Sequence, residues 1–427
     1  MRRLMIYMMA MMSAILITGC DLGKSPTSLI QIPKLSKNKQ FLTEAIKKAM
    51  PAGAVLVTPI KSSTKETIHM VDIDGDHVDE AIVFYRNEEF DREIYILIFK
   101  KKNNSWVKTI HEQVGGYQLH TLYFKDMNQD GRKDIALGID STYPGTETLP
   151  ENMTKELHIF TMKGHTLNSF FTMQYTDVVV DDFNEDKVPD ISLITFTKSK
   201  NANIQLLQWQ PLHKKMEIIS KLKLHEYVNG IENVFIGQLS DHHKALFLDS
   251  GLGAHSGWTD IVEFSNQKLK RVKIKERQLL KAYYLDSGDV NDDKITEVGN
   301  MYQPHGWEGA PYSDTPWIET YTQYNSEGIG KKVEERYIDV THGFYLVIPK
   351  KWWMNVTIEK GKNSLKMIGL PKKNIVFDIK WYPNHELPNL TNSRVITKSG
   401  KFTFITQSQA KMSDYQAYFH LLGEDFE

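Results

Sequence analysis

Between residues 54 and 338 the chain alternates short apolar runs with polar turns rich in Asp, Asn, Gly and Lys. Representative runs are 81–84 (AIVF), 94–99 (IYILIF), 106–110 (WVKTI), 122–124 (LYF), 135–137 (IAL), 178–180 (VVV), 191–194 (ISLI) and 234–236 (VFI). Runs this short, bounded by turn formers and rich in β-branched and aromatic residues, predict strands rather than helices. Two stretches follow another rule. Leu42, Ala45, Ile46 and Ala49 recur at helical spacing and predict a short amphipathic helix over 40–50, stopped by Pro51. Leu4 to Thr18 is continuously apolar and too short for the roughly 20 residues a membrane-spanning helix needs.

The turns repeat. DIDGDHVDE (72–80), DMNQDGRKD (126–134), DFNEDKVPD (182–190) and DVNDDKITE (289–297) share one pattern. An acid comes first, then an apolar residue, an acid or Asn third, Asp fifth and an acid ninth. A fifth copy, QLSDHHKA from Gln238, keeps the interval but has lost the acids. First positions at 72, 126, 182, 238 and 289 give steps of 54, 56, 56 and 51 residues. Each unit has room for four short strands, the size of one propeller blade, and such a unit buries both faces only by stacking on neighbours. The fold class expected is therefore mainly β: about five four-stranded repeats over residues 40–338, followed by a small α+β domain over 339–427 with a helix near 414–422.

An EF-hand is the other common owner of such a loop, but it needs helical flanks and Glu at the twelfth place. The twelfth places hold Val83, Leu137, Leu193 and Asn300, and the flanks read as strands, so the EF-hand is excluded. The four loops resemble the FG-GAP (also VCBS) repeats of integrin-type β-propellers. That resemblance implies calcium held by the first, third, fifth and ninth residues. Here these are Asp72, Asp74, Asp76 and Glu80; Asp126, Asn128, Asp130 and Asp134; Asp182, Asn184, Asp186 and Asp190; and Asp289, Asn291, Asp293 and Glu297.

The chemistry of the loops agrees. Clustered carboxylates repel one another by ~1 kcal/mol per close pair in water and by more when partly dry, and a hard divalent cation with oxygen ligands relieves this. The plainer alternative is that Asp and Asn only form the turn by bonding their own backbone. The sixth place, which favours a left-handed backbone, is glycine only at Gly131; His77, Lys187 and Lys294 stand elsewhere, and a lysine there could serve as the counter-ion.

Charge and cysteine usage narrow the class. With 52 basic and 53 acidic residues the net charge is −1, so no basic face for a nucleic acid is indicated. The single cysteine, Cys20, ends the apolar run as LITGC behind Arg2 and Arg3. This resembles the bacterial lipobox, which implies a signal peptide over 1–19, diacylation of Cys20 and a lipid-anchored protein facing away from the cytoplasm. Residues 20–39 read as a polar tether.

Longer loops carry Tyr143, His255 and Trp258, and His305, Trp307 and Tyr312, candidates for stacking on a glycan or clasping a peptide or protein; the alternative is that they fill gaps between repeats. No catalytic constellation accompanies His255-Ser256 or His242-His243. The functional expectation is a membrane-anchored binding protein, with an envelope polysaccharide hydrolase or lyase, or a scaffold subunit, as alternatives.

Overall fold

The computed structural model describes residues 37–61, 66–88, 92–103, 105–142, 155–197, 201–225, 227–253, 256–387, 389, 393–408 and 411–423. The signal run and Cys20 lie outside these residues, as do Tyr143 and His255. Among the described residues no helix is long and apolar enough to cross a membrane.

Six antiparallel sheets follow one another along the chain. The first holds strands Glu80–Asn87, Ile94–Lys102 and Ser105–Gln113, with Ala54–Leu56 and Ile68–Val71 sharing the outer edge of Glu80–Asn87 as one interrupted strand. The second and third are four-stranded meanders, Gln118–Lys125 to Thr166–Tyr175 and Asp177–Asp181 to Lys215–Lys223. The fourth runs from Gly230–Gln238 to Lys268–Arg271, and Leu280–Lys281 adds to its third strand, Ser256–Ser265. In the fifth the strand before the acidic loop shrinks to a bridge between Gly288 and Glu297, ahead of Glu297–Tyr302, Ile318–Tyr324 and Gly330–Asp339.

The period-two alternation of each strand explains how the sheets stack. In Glu80–Asn87, Ile82 and Phe84 join Ile135, Leu137 and Ile139 of the second sheet, while Ala81, Val83 and Tyr85 face the other way. Ala136 and Ile159 then meet Val178, Ile191 and Leu193; Ile194 and Ile204 meet Leu246 and Leu248; Phe247 and Ile261 meet Val298 and Tyr324. Each Val, Leu, Ile or Phe among these, wholly removed from water, contributes ~1.5–3 kcal/mol.

The two outer faces are covered differently. Helix Lys37–Ala49 lays Leu42 and Ile46, one turn apart, on Val83, Leu97 and Trp106 of the first sheet. It begins three residues before the sequence pattern suggests, and Lys47 and Lys48 close it where the helix dipole favours cations. The fifth sheet's outer face packs through Ile318, Tyr337 and Leu346 on Val356, Met367 and Ile379 of the sixth sheet, Val356–Thr406. Among the described residues every hydrophobic cluster that spans two sheets joins consecutive ones.

The C-terminal segment differs from expectation in two ways. Residue 338 is not a boundary between sheets: it lies in strand Gly330–Asp339, which pairs with Phe344–Val347, and Phe344–Val347 in turn pairs with Phe419–Leu421 in the fifth sheet. The helix ends at Tyr418 (Met412–Tyr418), and the residues after it are that last strand, which buries Phe419 against Phe344.

Candidate functional site

Each acidic loop is the hairpin between two antiparallel strands, as at Val71↔Glu80, Lys125↔Asp134 and Asp181↔Asp190. The flanks are strands, as the exclusion of an EF-hand required. All four loops turn through two left-handed residues. At the fourth place these are Gly75, Gln129, Glu185 and Asp292, and at the sixth place His77, Gly131, Lys187 and Lys294, with φ of 65°, 87°, 72° and 69° for the sixth. Three side chains thus accept a conformation that favours glycine, because the first aspartate holds the backbone there. Asp126 accepts from the Gly131 N–H at 2.8 Å, Asp182 from Lys187 at 2.9 Å, Asp289 from Lys294 at 2.8 Å and Asp72 from His77 at 2.9 Å.

The ninth carboxylate is different in kind. Glu80, Asp134, Asp190 and Glu297 are buried, and each accepts the N–H of the loop's second residue, at 3.1 Å from Ile73 and 2.9 Å from Met127, Phe183 and Val290. That second residue is a plug: Ile73, Met127 and Phe183 enter the core against the next sheet. The shortened fifth loop lacks the acids yet keeps the plug, Leu239. Burial raises the ninth carboxyls, to about 7 for Glu80 and about 6 for Asp134, Asp190 and Glu297.

The loops differ in what meets their carboxylates. Asp72, Asp74 and Glu80 bring three oxygens within 4.8 Å of one another. The ammonium of Lys100, on strand Ile94–Lys102, contacts Asp74 and lies 3.8 Å from Glu80 and 3.9 Å from Asp76. Lys187 and Lys294, the alternative counter-ions of their own loops, donate their backbone N–H to Asp182 and Asp289. Arg132, half-buried and within the loop itself, pairs with Asp130 at 2.8 Å. Gln208 donates to Asp190 at 2.6 Å, and Gln323 to Asp293 and Glu297 at 2.7 Å. The sets at Asp126, Asp182 and Asp289 each hold three carboxylates and an Asn carbonyl, but among the described residues only Asp72, Asp74 and Glu80 bring three carboxylate oxygens within 4.8 Å of one another.

The aromatic candidates separate. Trp258 is buried, its ring 4.6 Å from His225. Trp307 donates its indole N–H to the Ile358 carbonyl of the sixth sheet at 2.8 Å, and Thr357 donates to the His305 carbonyl nearby. His305 itself is exposed beside Glu308. Tyr312, by contrast, lines a concavity. It lies between Tyr283 at 4.8 Å and Trp317 at 5.0 Å, and burial together with Tyr283 raises its hydroxyl to about 12.

These three rings line a cleft of about 840 Å³ with Glu319, Arg336 and Lys360. Arg336 is gripped between the rings of Tyr321 and Tyr345, pairs with Glu334, and donates to the Val290 carbonyl of the Asp289 loop at 3.4 Å. Glu319 accepts from the Tyr321 hydroxyl at 2.7 Å, and burial raises its pKa, as burial and Asp249 raise that of Asp286 in the same cleft.

No protein-family profile matches the chain, and no curated protein matches it. Solved structures with some likeness include a protein from Lactobacillus plantarum (8% identity, TM-score 0.32, covering 75% of this chain and 93% of that one). A 6-phosphogluconolactonase-like protein from Bacteroides uniformis gives 10%, 0.36, 76% and 94%. A rhamnogalacturonan lyase from Bacillus licheniformis gives 10%, 0.31, 76% and 74%. Likeness at these TM-scores carries nothing about activity or ligand.

Proposed function

We propose that this chain is a lipid-anchored binding protein of the cell envelope that takes a glycan in the cleft around Tyr312. The cleft is the observation that carries the reading. Tyr283, Tyr312 and Trp317 offer ring faces for sugar C–H groups, and Glu319, Arg336 and Lys360 offer charged partners for hydroxyl and acidic substituents. The repeats are read as FG-GAP-type blades. Asp126, Asn128, Asp130 and Asp134, with the matching sets from Asp182 and Asp289, would hold calcium, which would cancel the charge on loops that set the strand ends. At extracellular affinities and about 1 mM calcium, each site adds ~0.4–1.4 kcal/mol.

The test is calorimetric titration of the protein with isolated cell-wall polysaccharide. Wild type binds, and Trp317→Ala and Tyr312→Ala bind at least about tenfold more weakly, the loss of roughly 1.4 kcal/mol. Equal binding by all three proteins rules the cleft out. Anchoring is tested separately: Cys20→Ser moves the protein from the membrane to the soluble fraction, and a mutant that stays lipid-bound refutes the anchor.

One observation favours a hydrolase or lyase instead, namely two carboxyls of raised pKa, Glu319 and Asp286, in one aromatic cleft. Release of reducing ends or unsaturated sugars from the same polysaccharide, abolished in Glu319→Gln, would establish it.

A further inference from the structure

The four acidic loops share one frame and differ in a residue that none of them contains. Glu297 pairs across the sheet with Gln323. One step beyond the pairs Ala81↔Phe99, Ile135↔Phe160 and Ile191↔Leu207, the ninth carboxylates of the other loops face Lys100, Thr161 and Gln208. Three loops therefore meet a neutral hydrogen-bond donor at this point. Among the described residues only the Asp72 loop meets a cation opposite its ninth carboxylate; the Asp126 loop has Arg132 on its fifth residue, Asp130, instead.

The same loop carries the compensating change. Its third residue is Asp74, where the others have Asn128, Asn184 and Asn291. Over the first, third, fifth and ninth places it has four carboxylates against three, and Lys100 contacts the extra one, Asp74. Four carboxylates less the Lys100 ammonium give −3, the formal charge of the carboxylates alone in each of the other sets. The ammonium lies among the third, fifth and ninth residues rather than at their rim, and the Lys100 side chain is only 25% exposed. A divalent ion drawn to these oxygens would meet a positive charge already in contact with three of the four carboxylates.

We infer that Lys100 is the resident cation of the Asp72 loop, standing where a divalent ion would bind, and that the residue facing the ninth carboxylate decides which loops are open to calcium. The inference leans on the calcium reading only for the other three loops. The role given to Lys100 stands apart from it.

Calcium titration of the full-length protein by calorimetry, with terbium luminescence as a second readout, tests this. Lys100→Gln installs the residue used at Gln208 and Gln323, and it binds one more ion than wild type. Asp76→Ala removes that extra ion from the Lys100→Gln protein and leaves the wild-type count unchanged. A Lys100→Gln protein that folds only when calcium is supplied also supports the replacement. The inference is overturned if folded Lys100→Gln binds no more ions than wild type. It is equally overturned if Asp76→Ala costs the wild type an ion, and that comparison holds even where Lys100→Gln does not fold. Should wild type bind no calcium while Lys100→Gln binds one ion, the role of Lys100 stands and the calcium reading of the other loops falls.

Discussion

The ammonium of Lys281 and the carboxylate of Asp249 meet at 2.6 Å with both side chains almost wholly removed from water. Asp249 also accepts from the N–H and hydroxyl of Ser287 and from Thr259. Together these bonds fasten the segment carrying Tyr283 to the fourth sheet, so the pair sets one wall of the cleft. A buried charge left alone is far worse than a buried pair. Lys281→Met should therefore lower unfolding free energy by about 3–5 kcal/mol, and adding Asp249→Leu should restore part of that loss. Urea denaturation measures both; equal stability of the single and double mutants would show that the pair is not coupled.

The loop plugs should cost stability by volume rather than by charge. Phe183→Ala opens a void between the third and fourth sheets and should cost about 3–5 kcal/mol. Leu239→Ala, in the loop without acids, should cost ~2–5 kcal/mol and show no calcium dependence. A loss below ~1 kcal/mol for both would mean that the plugs are not packed as described.

Asp134 gives a pH signature. Its folded pKa of about 6 lies above the unfolded value, because burial disfavours the charge. Its contribution to stability is present below the unfolded pKa near ~3.9 and is lost as pH rises through about 6. In chelator, Asp134→Asn should therefore gain on wild type between pH 4 and 7, by on the order of 1–3 kcal/mol. Calcium should reverse the order at pH 7, since the amide brings no charge. Melting curves of both proteins across that range, with and without calcium, give the answer.

His120 acts in the opposite sense. Burial, with Lys155 and Lys61 nearby, pulls its folded pKa to about 4, and its Nδ1 sits 2.9 Å from the Tyr175 hydroxyl. A depressed histidine contributes stability above the unfolded value near ~6.5, lost as pH falls from there toward 4. His120→Gln should flatten that acid limb while costing little of the slope above pH 7. An unchanged limb would mean that His120 is accessible to protons in the folded chain.

Much of this was legible from residues close together in sequence. The strand runs, the hairpin turns at the acids and the left-handed sixth place all follow from local pattern, and the structure keeps them. Lys100 was not legible, because its place opposite Glu80 depends on strand register across 20 residues. The ligand face was misjudged for a similar reason. Trp258 and Trp307 look alike as loop aromatics, yet one is buried on His225 and the other docks on the Ile358 carbonyl. The cleft draws Tyr283, Tyr312 and Arg336 from separate segments, and no spacing rule brings those together. Phe419–Leu421 looks helical by pattern, but a strand edge at Phe344–Val347 offers its backbone a better partner.

The order of the stack also sets an order of assembly. Helix Lys37–Ala49 and the first sheet, complete by Gln113, already cover one another, so the earliest part of the chain to emerge can fold without waiting for the rest. Each later sheet finds its docking face already formed by the one before, as growth along a row of neighbours requires. The fifth sheet alone must wait, since its last strand, Phe419–Leu421, comes at the very end of the described chain. A protein threaded outward from its N-terminus would thus fold as it arrives, and a chain cut short before Phe419 would stall with that one edge unpaired.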